Sequence, residues 1–481
     1  MPIFTNNVTA NTDPVTGVVN ESAGTISLIR GSHVSAIAIG DSLTSRSRYQ
    51  STVSSSSAIG MWNWANWLIG APFVFRANMG ISGDVTRSVM SRISAIPRDV
   101  GVVFLMTGTN DVLSMSSAAV QGTIDSTYTN VSGYLTTGVA ALVAAGKKVV
   151  LSTIIPNDAY SADTDSRIQL LDRLNTHIAT LASANVFVVD AFDALWDSAQ
   201  PPLRVCLTNT MHSDGTHIAA TGALLIGTAA MSAAKLAYAS VGGNYQLYDD
   251  FSPAWQLYSG FRSGTGGTAA VKTHGTGNLA DGWRSINNAG TATFALDNTD
   301  AYSVSADYVG PWAGAPAGID EHWQEFDITS AVDADNPRLR LPASTSIVSS
   351  GTFPDTCLGG DLFFAEIDVW VTNPVNLKEC TLKIQGNWTA GTSPADQPYL
   401  GTTTVQAQCG TVGDSASSTY AYPSGFRAVY RTPVLRMPEN INTTAAQNLD
   451  FNFDMVFNGT GSANVKLGRP RIWHKMTGFV G

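Results

Sequence analysis

The sequence predicts a parallel α/β domain followed by an all-β domain, and three features predict it. Short apolar runs alternate with helix-like stretches through the first half. Beyond residue 243 that alternation gives way to segments of period two, rich in aromatics, Gly, Thr and Asn. At 481 residues the chain also exceeds the roughly 250–300 residues over which one hydrophobic core keeps growing.

Residues 1–30 are polar and carry turn formers such as NTDP, which reads as an N-terminal arm. A first domain is expected over 31–243. Its strands are the runs VSAIAIG (34–40), VVFLMTG (102–108), KKVVLSTIIP (147–156) and NVFVVDAF (185–192), continuously apolar as strands buried on both faces are. Helices are expected at MWNWANWLIG, after Val85, over 117–145, and over 163–183, where Ile168, Leu171, Leu174 and Ile178 keep a helical spacing. Strands alternating with helices imply βαβ units and right-handed crossovers, with a site built from loops at the carboxyl ends of the strands. Residues 244–481, with QEFDITSAV, RLRLPAS, LFFAEIDVWV and CTLKIQGNW, read as a β-sandwich, jelly-roll-like.

Composition excludes several function classes. The net charge is −10 and no Lys/Arg run exists, so a nucleic-acid partner is not expected. The first residues show neither a basic n-region nor an apolar h-region, so no secretory signal is expected. The most apolar long stretch, 218–238, is built of Ala, Gly, Ser and Thr and includes Lys235; it reads as a buried helix, not a membrane span. Cys206, Cys357, Cys380 and Cys409 match no metal spacing, and the last three leave open one disulfide or a set of buried thiols.

Four short segments carry chemistry. The first strand runs into Gly40, Asp41, Ser42 and Leu43, which places a serine hydroxyl just past a strand's carboxyl end and its backbone amide beside it. A serine is a poor nucleophile near neutral pH and needs a base fixed by a third group. Among the seven histidines, His217 follows Asp214 in DGTH, on a turn entering the Ala-rich helix. NMGISGDVT (78–86) offers Gly80 and Gly83 in a loop before a helix, and GTND (108–111) places the Asn110 amide after a strand. Asp84 and Asp111 suit helix caps. His212 has the wrong offset from Asp214, while His33 and His177 read as structural or surface residues.

Together these segments resemble the SGNH (GDSL-type) hydrolase family, whose blocks are GDS(L), a Gly-containing block, GxND and DxxH, in that order. The resemblance implies a flavodoxin-like α/β/α sandwich of five parallel strands, with APFVFRAN supplying the fifth. It implies Ser42 as nucleophile, His217 as base, Asp214 as its partner, and an oxyanion hole of the Ser42 amide, Gly83 and Asn110, with Gly80 the lesser candidate. No metal or organic cofactor is expected. The second half holds seven of the 11 tryptophans, at 255, 283, 312, 323, 370, 388 and 473. Its texture resembles sandwich modules of glycan-active enzymes and bacteriophage tail proteins. The expected activity is therefore O-deacetylation of a polysaccharide, in a virion or outside the cell, and as a homotrimer if it is a tail component. The alternatives are a general short-chain or lipolytic esterase acting on small esters, and a non-enzymatic glycan-binding protein.

Overall fold

Five strands form one parallel sheet: β1 (His33–Gly40), β3 (Phe73–Gly80), β4 (Val102–Met106), β5 (Lys148–Ser152) and β6 (Val186–Val189), in the spatial order β3-β1-β4-β5-β6. The order is the flavodoxin-like one, with the sense in which strands are added across the sheet switching between β1 and β4. The short strand Gln246–Leu247 adds to it antiparallel, against Val34 and His33. This computed structural model describes residues 33–50, 54–160, 162–241, 291–313, 322–330, 362–388, 404–411, 421–422, 424–436 and 447–475, and several short strands besides. The N-terminal arm lies outside the described residues apart from the strand pair Val19–Asn20 and Ser27–Leu28, and so does residue 243.

Alternating side chains divide the sheet's two faces. Val34, Ala36 and Ala38 of β1 join Val102, Phe104 and Met106 on one side, against α2 (Met61–Trp67) and α8 (Ala220–Ser240). Ile37, Ile39, Val103 and Leu105 face the other side, against α3 (Thr86–Ser91), α5 (Gln121–Ala144) and α6 (Ser166–Thr180). The three layers follow from strands apolar on both faces. Helix α6 begins where the Asp165 carboxylate accepts the Arg167 amide at 2.9 Å, and it buries the four apolar residues whose spacing predicts it. Helix α8 is long and apolar enough to cross a membrane, yet most of it is buried within the protein, against α2.

The second half is β-rich and dominated by two long antiparallel strands, β9 (Leu362–Trp388) and β12 (Gln447–Lys475). Their register breaks between Thr372 and Glu379, where Asn373 and Asn376 take positive φ, a conformation asparagine tolerates better than most residues. The strands therefore bend. One half of β9 pairs with β11 (Phe426–Arg431) and the other with β10 (Thr404–Thr411), while β12 takes β8 (His322–Ser330), itself paired with β7 (Thr291–Ala301).

A strand of the first half also joins the sheet of the second. β2 (Ser54–Ser57), which lies between β1 and α2 in the chain, pairs in parallel with β10. Its SSSS sequence has no strand signature, so pairing with a distant partner decides its conformation. The hydrophobic core is likewise continuous: Trp64 of α2 meets Tyr422, Phe426 and Tyr430 at centroid distances of 5.8, 5.0 and 6.1 Å. Residues 302–313 lash the seam further, with Val309 donating to the Ile69 carbonyl (2.9 Å) and Asp307 accepting from Lys235 (2.6 Å).

The tryptophans of the second half whose side chains are described make contacts inside the protein. Trp312 and Trp323 are buried, Trp473 donates to Glu366, and Trp370 lies under the cations of Arg427 and Lys466. The side chains of Trp255, Trp283 and Trp388 lie outside the described residues. Cys206, Cys380 and Cys409 are buried free thiols, and Cys357 lies outside the described residues.

Candidate active site

All four sequence blocks converge at the carboxyl edge of the sheet. Strand β1 ends at Gly40, where any Cβ would lie 2.3 Å from both the Met106 carbonyl oxygen and Thr44 Oγ1, so only glycine fits. Asp41 then accepts the Leu43 amide at 3.0 Å and caps the single turn α1 (Ser42–Ser45). That turn holds Ser42 with its hydroxyl toward His217. Asn78 of β3 braces the turn from beneath, donating to the Thr44 and Ser45 carbonyls at 2.7 and 3.3 Å.

The base arrives on the loop before α8. The Asp214 carboxylate accepts the Thr216 and His217 amides at 3.0 and 2.9 Å, with Gly215 at φ +64° closing the turn. The same carboxylate meets His217 Nδ1 at 2.7 Å, and His217 Nε2 lies 2.9 Å from Ser42 Oγ. Partial burial opposes ionisation of Asp214, but the two amides and the imidazole outweigh it and hold its pKa down at about 2. A carboxylate ionised at that strength only accepts hydrogen bonds, so Nδ1 carries the proton and Nε2 offers its lone pair to the serine. Arg46 adds a cation 4.0 Å from Asp214.

Beside the Ser42 amide, the donors expected at the oxyanion position sit in a loop and in the first turn of a helix next to it. Gly83 has φ +82° in the turn closed by Asp84 N and Ile81 O (3.3 Å), and that conformation, not crowding, requires glycine there. Gly80 differs: a Cβ would fall 2.2 Å from the Ser45 amide nitrogen, so its part is to let β3 approach the nucleophile turn. Asn110, in α4 (Thr109–Leu113), donates one amide hydrogen to the Asp84 carbonyl at 2.9 Å and keeps a second donor.

Three other residues carry partial signals in the sequence. Asp111 caps α3 from outside it, accepting the Thr86 amide and hydroxyl at 2.7 and 2.8 Å. Asp84 caps nothing; it pairs with Arg92, because the N-cap position of α3 falls on Val85. His212 donates its backbone amide to the His217 carbonyl at 2.7 Å and so supports the loop. Sequence reasoning missed Asn78 and Arg92, whose roles depend on backbone carbonyls that no motif records. Among the described residues no cluster of His, Cys, Asp or Glu could hold a metal ion.

Asp41 is unusual in being buried with one carboxylate oxygen unbonded. Burial pushes its pKa up to about 7, the Leu43 amide pulling down and the Asp111 charge pushing up. The folded chain thus keeps a proton that the unfolded chain loses near 3.8, so this group's cost to stability is absent in acid and complete above about pH 7. Asp41→Asn is expected to melt higher than the unsubstituted chain at about pH 8, and the difference should vanish near about pH 4. Thermal unfolding of both chains across that range measures it; a constant difference would refute the assignment.

Residues 38–222 match the GDSL-like Lipase/Acylhydrolase family. The chain is also similar in structure to a lipolytic protein of the G-D-S-L family from Veillonella parvula (19% identity, TM-score 0.32, 41% of this chain and 96% of that one). An acetylxylan esterase from Geobacillus stearothermophilus is similar at 17% identity and TM-score 0.34, over 43% of this chain and 96% of that one. A GDSL-like lipase from Bacteroides thetaiotaomicron gives 17% and 0.31, over 42% and 87%. No curated protein matches the chain.

Proposed function

We propose that this chain, whose residues 38–222 match the GDSL-like Lipase/Acylhydrolase family, is a serine esterase, with Ser42 as nucleophile, His217 as general base and Asp214 as the group that orients it. The unbroken chain of contacts from Asp214 Oδ2 through His217 to Ser42 Oγ, 2.7 and then 2.9 Å, carries the proposal. His217 Nε2 takes the hydroxyl proton as Oγ bonds to the ester carbonyl carbon, and the carbonyl electrons move onto oxygen. The Ser42 and Gly83 amides and the Asn110 side chain hold that oxyanion. Collapse breaks the bond to the alkoxide, which leaves with the proton from His217. Water then repeats the sequence on the acyl-serine, releasing the acid and restoring Ser42.

Within this proposal the preferred substrate is an O-acetylated polysaccharide, in the setting of a bacteriophage tail or another extracellular glycan surface. What supports it is that the two partners of Ser42 lie toward the surface, the side chains of His217 and Asp214 being 21% and 45% exposed, which suits an acetyl group borne on a polymer. Acetate release from O-acetylated polysaccharides, run beside p-nitrophenyl acetate and longer acyl esters with a Ser42→Ala control, tests it. Release that vanishes in Ser42→Ala establishes a carbohydrate esterase. Hydrolysis confined to small esters favours a general esterase, and none at all a binding protein.

Asn110→Ala is expected to lower kcat on p-nitrophenyl acetate on the order of a hundredfold or more with KM little changed, the loss typical of one oxyanion donor. Unchanged turnover in the folded variant removes Asn110 from the hole.

A further inference from the structure

We propose that Arg92 is a positioning residue, whose guanidinium locks the loop of Gly83 and Asp84 against the nucleophile strand. It rests on the serine-esterase proposal above. Arg92 follows α3 directly, and its Nη2 donates to the carbonyls of Gly40 (3.1 Å) and Met79 (3.0 Å). Gly40 is the last residue of the strand that delivers Ser42, and Met79 lies one residue before the end of β3. From Nη1 the same side chain pairs with the Asp84 carboxylate and donates to the Ser88 carbonyl at 3.3 Å.

Asp84 is the joint between the Gly83 loop and α4. Its side chain is held by Arg92 and its carbonyl by the Asn110 amide, and it follows Gly83 directly. The Gly40 carbonyl also receives the Ile81 amide at 3.1 Å, so the nucleophile strand and the glycine loop are stitched at two points. The Arg92 and Asp84 side chains are mostly shielded, 21% and 18% exposed, which limits screening of their pair. A planar fork with several donors can serve two carbonyls and a carboxylate at once, whereas a lysine ammonium cannot hold that geometry. None of these contacts reaches Ser42 Oγ or His217, so Arg92 acts on where the oxyanion donors stand and not on proton transfer.

Displacing a catalytic group by about 1 Å can cost a factor on the order of a hundred. Arg92→Gln is therefore expected to lower kcat on p-nitrophenyl acetate by roughly ten- to a hundredfold with KM unchanged. Arg92→Lys should fall between, and Arg92→Gln should lose less in an Asn110→Ala background than alone, because both act through Asp84. A merely structural arginine would lower the melting temperature and leave kcat alone. Unchanged kcat in folded Arg92→Gln, or losses that multiply fully with those of Asn110→Ala, would overturn the proposal. If Arg92→Gln does not fold, Asp84→Asn keeps the carbonyl bonds and breaks only the ion pair; the same loss of kcat is expected, and its absence overturns the proposal. Activity surviving Ser42→Ala would instead refute the esterase reading itself, so the two failures are distinguishable.

Discussion

Ser42→Ala is expected to lower kcat on p-nitrophenyl acetate by roughly 10⁴–10⁶-fold while leaving the fold intact. The hydroxyl meets His217 Nε2 at 2.9 Å, and the turn that carries it is held by backbone and by Asp41 and Asn78, all of which survive the substitution. His217→Gln should reach a similar floor, and the double variant should fall little further, because nucleophile and base act as a unit. The residual rate reports the oxyanion donors, which Ser42→Ala keeps, including its own backbone amide. Stopped-flow kinetics with mass spectrometry of the quenched enzyme supplies the direct check: the native chain should carry an acyl group on the Ser42 peptide and the variant none. Retention of most of the turnover by Ser42→Ala would place the nucleophile elsewhere.

Much of the α/β half was legible because its strands are apolar on both faces and its longer helices keep their period. VSAIAIG, VVFLM, KVVLS and VFVV each became a strand of the parallel sheet. APFVFRAN supplied the fifth, running to Gly80. The short helices α4 and α7 (Ala191–Leu195) were not foreseen; at five residues each they are too brief for periodicity to register. The serine strand β2 was equally invisible, since its conformation comes from β10, some 350 residues away in the chain.

The site divides along the same line. Ser42, Asp214 and His217 stand within motifs whose spacing is local, or end a strand whose pattern is plain, and the structure brings them into one hydrogen-bonded chain. Gly83 and Gly80 look alike in sequence but answer different demands, a positive φ for one and the close passage of Ser45 for the other. Arg92 was unreadable because a guanidinium bonded to backbone carbonyls leaves no residue pattern. For His33 the sequence suggested only a structural or surface place. It is buried on the nucleophile strand, and burial, with the Arg431 charge, holds its pKa well below the usual imidazole range.

That histidine belongs to a buried ionic cluster at the seam between the halves, where the largest effect on stability is expected. The Glu366 carboxylate, fully buried in β9, accepts Arg431 Nε at 2.7 Å and the indole N–H groups of Trp312 and Trp473 at 3.0 and 2.7 Å. Arg431 in turn donates to His33 Nε2, which must be neutral to accept. Removing the carboxylate strands a guanidinium that is 8% exposed beside an imidazole that cannot balance its charge, and leaves two indole donors without partners. Breaking a buried pair in this way costs about 3–5 kcal/mol, whereas replacing both partners with well-packed apolar groups is often neutral. Glu366→Ala is therefore expected to destabilise by about 3–5 kcal/mol in urea unfolding, and Glu366→Leu combined with Arg431→Met by clearly less than Glu366→Leu alone. A double variant as unstable as the sum of its single changes would show that the cluster stabilises through contact and shape, not through compensation of a buried charge.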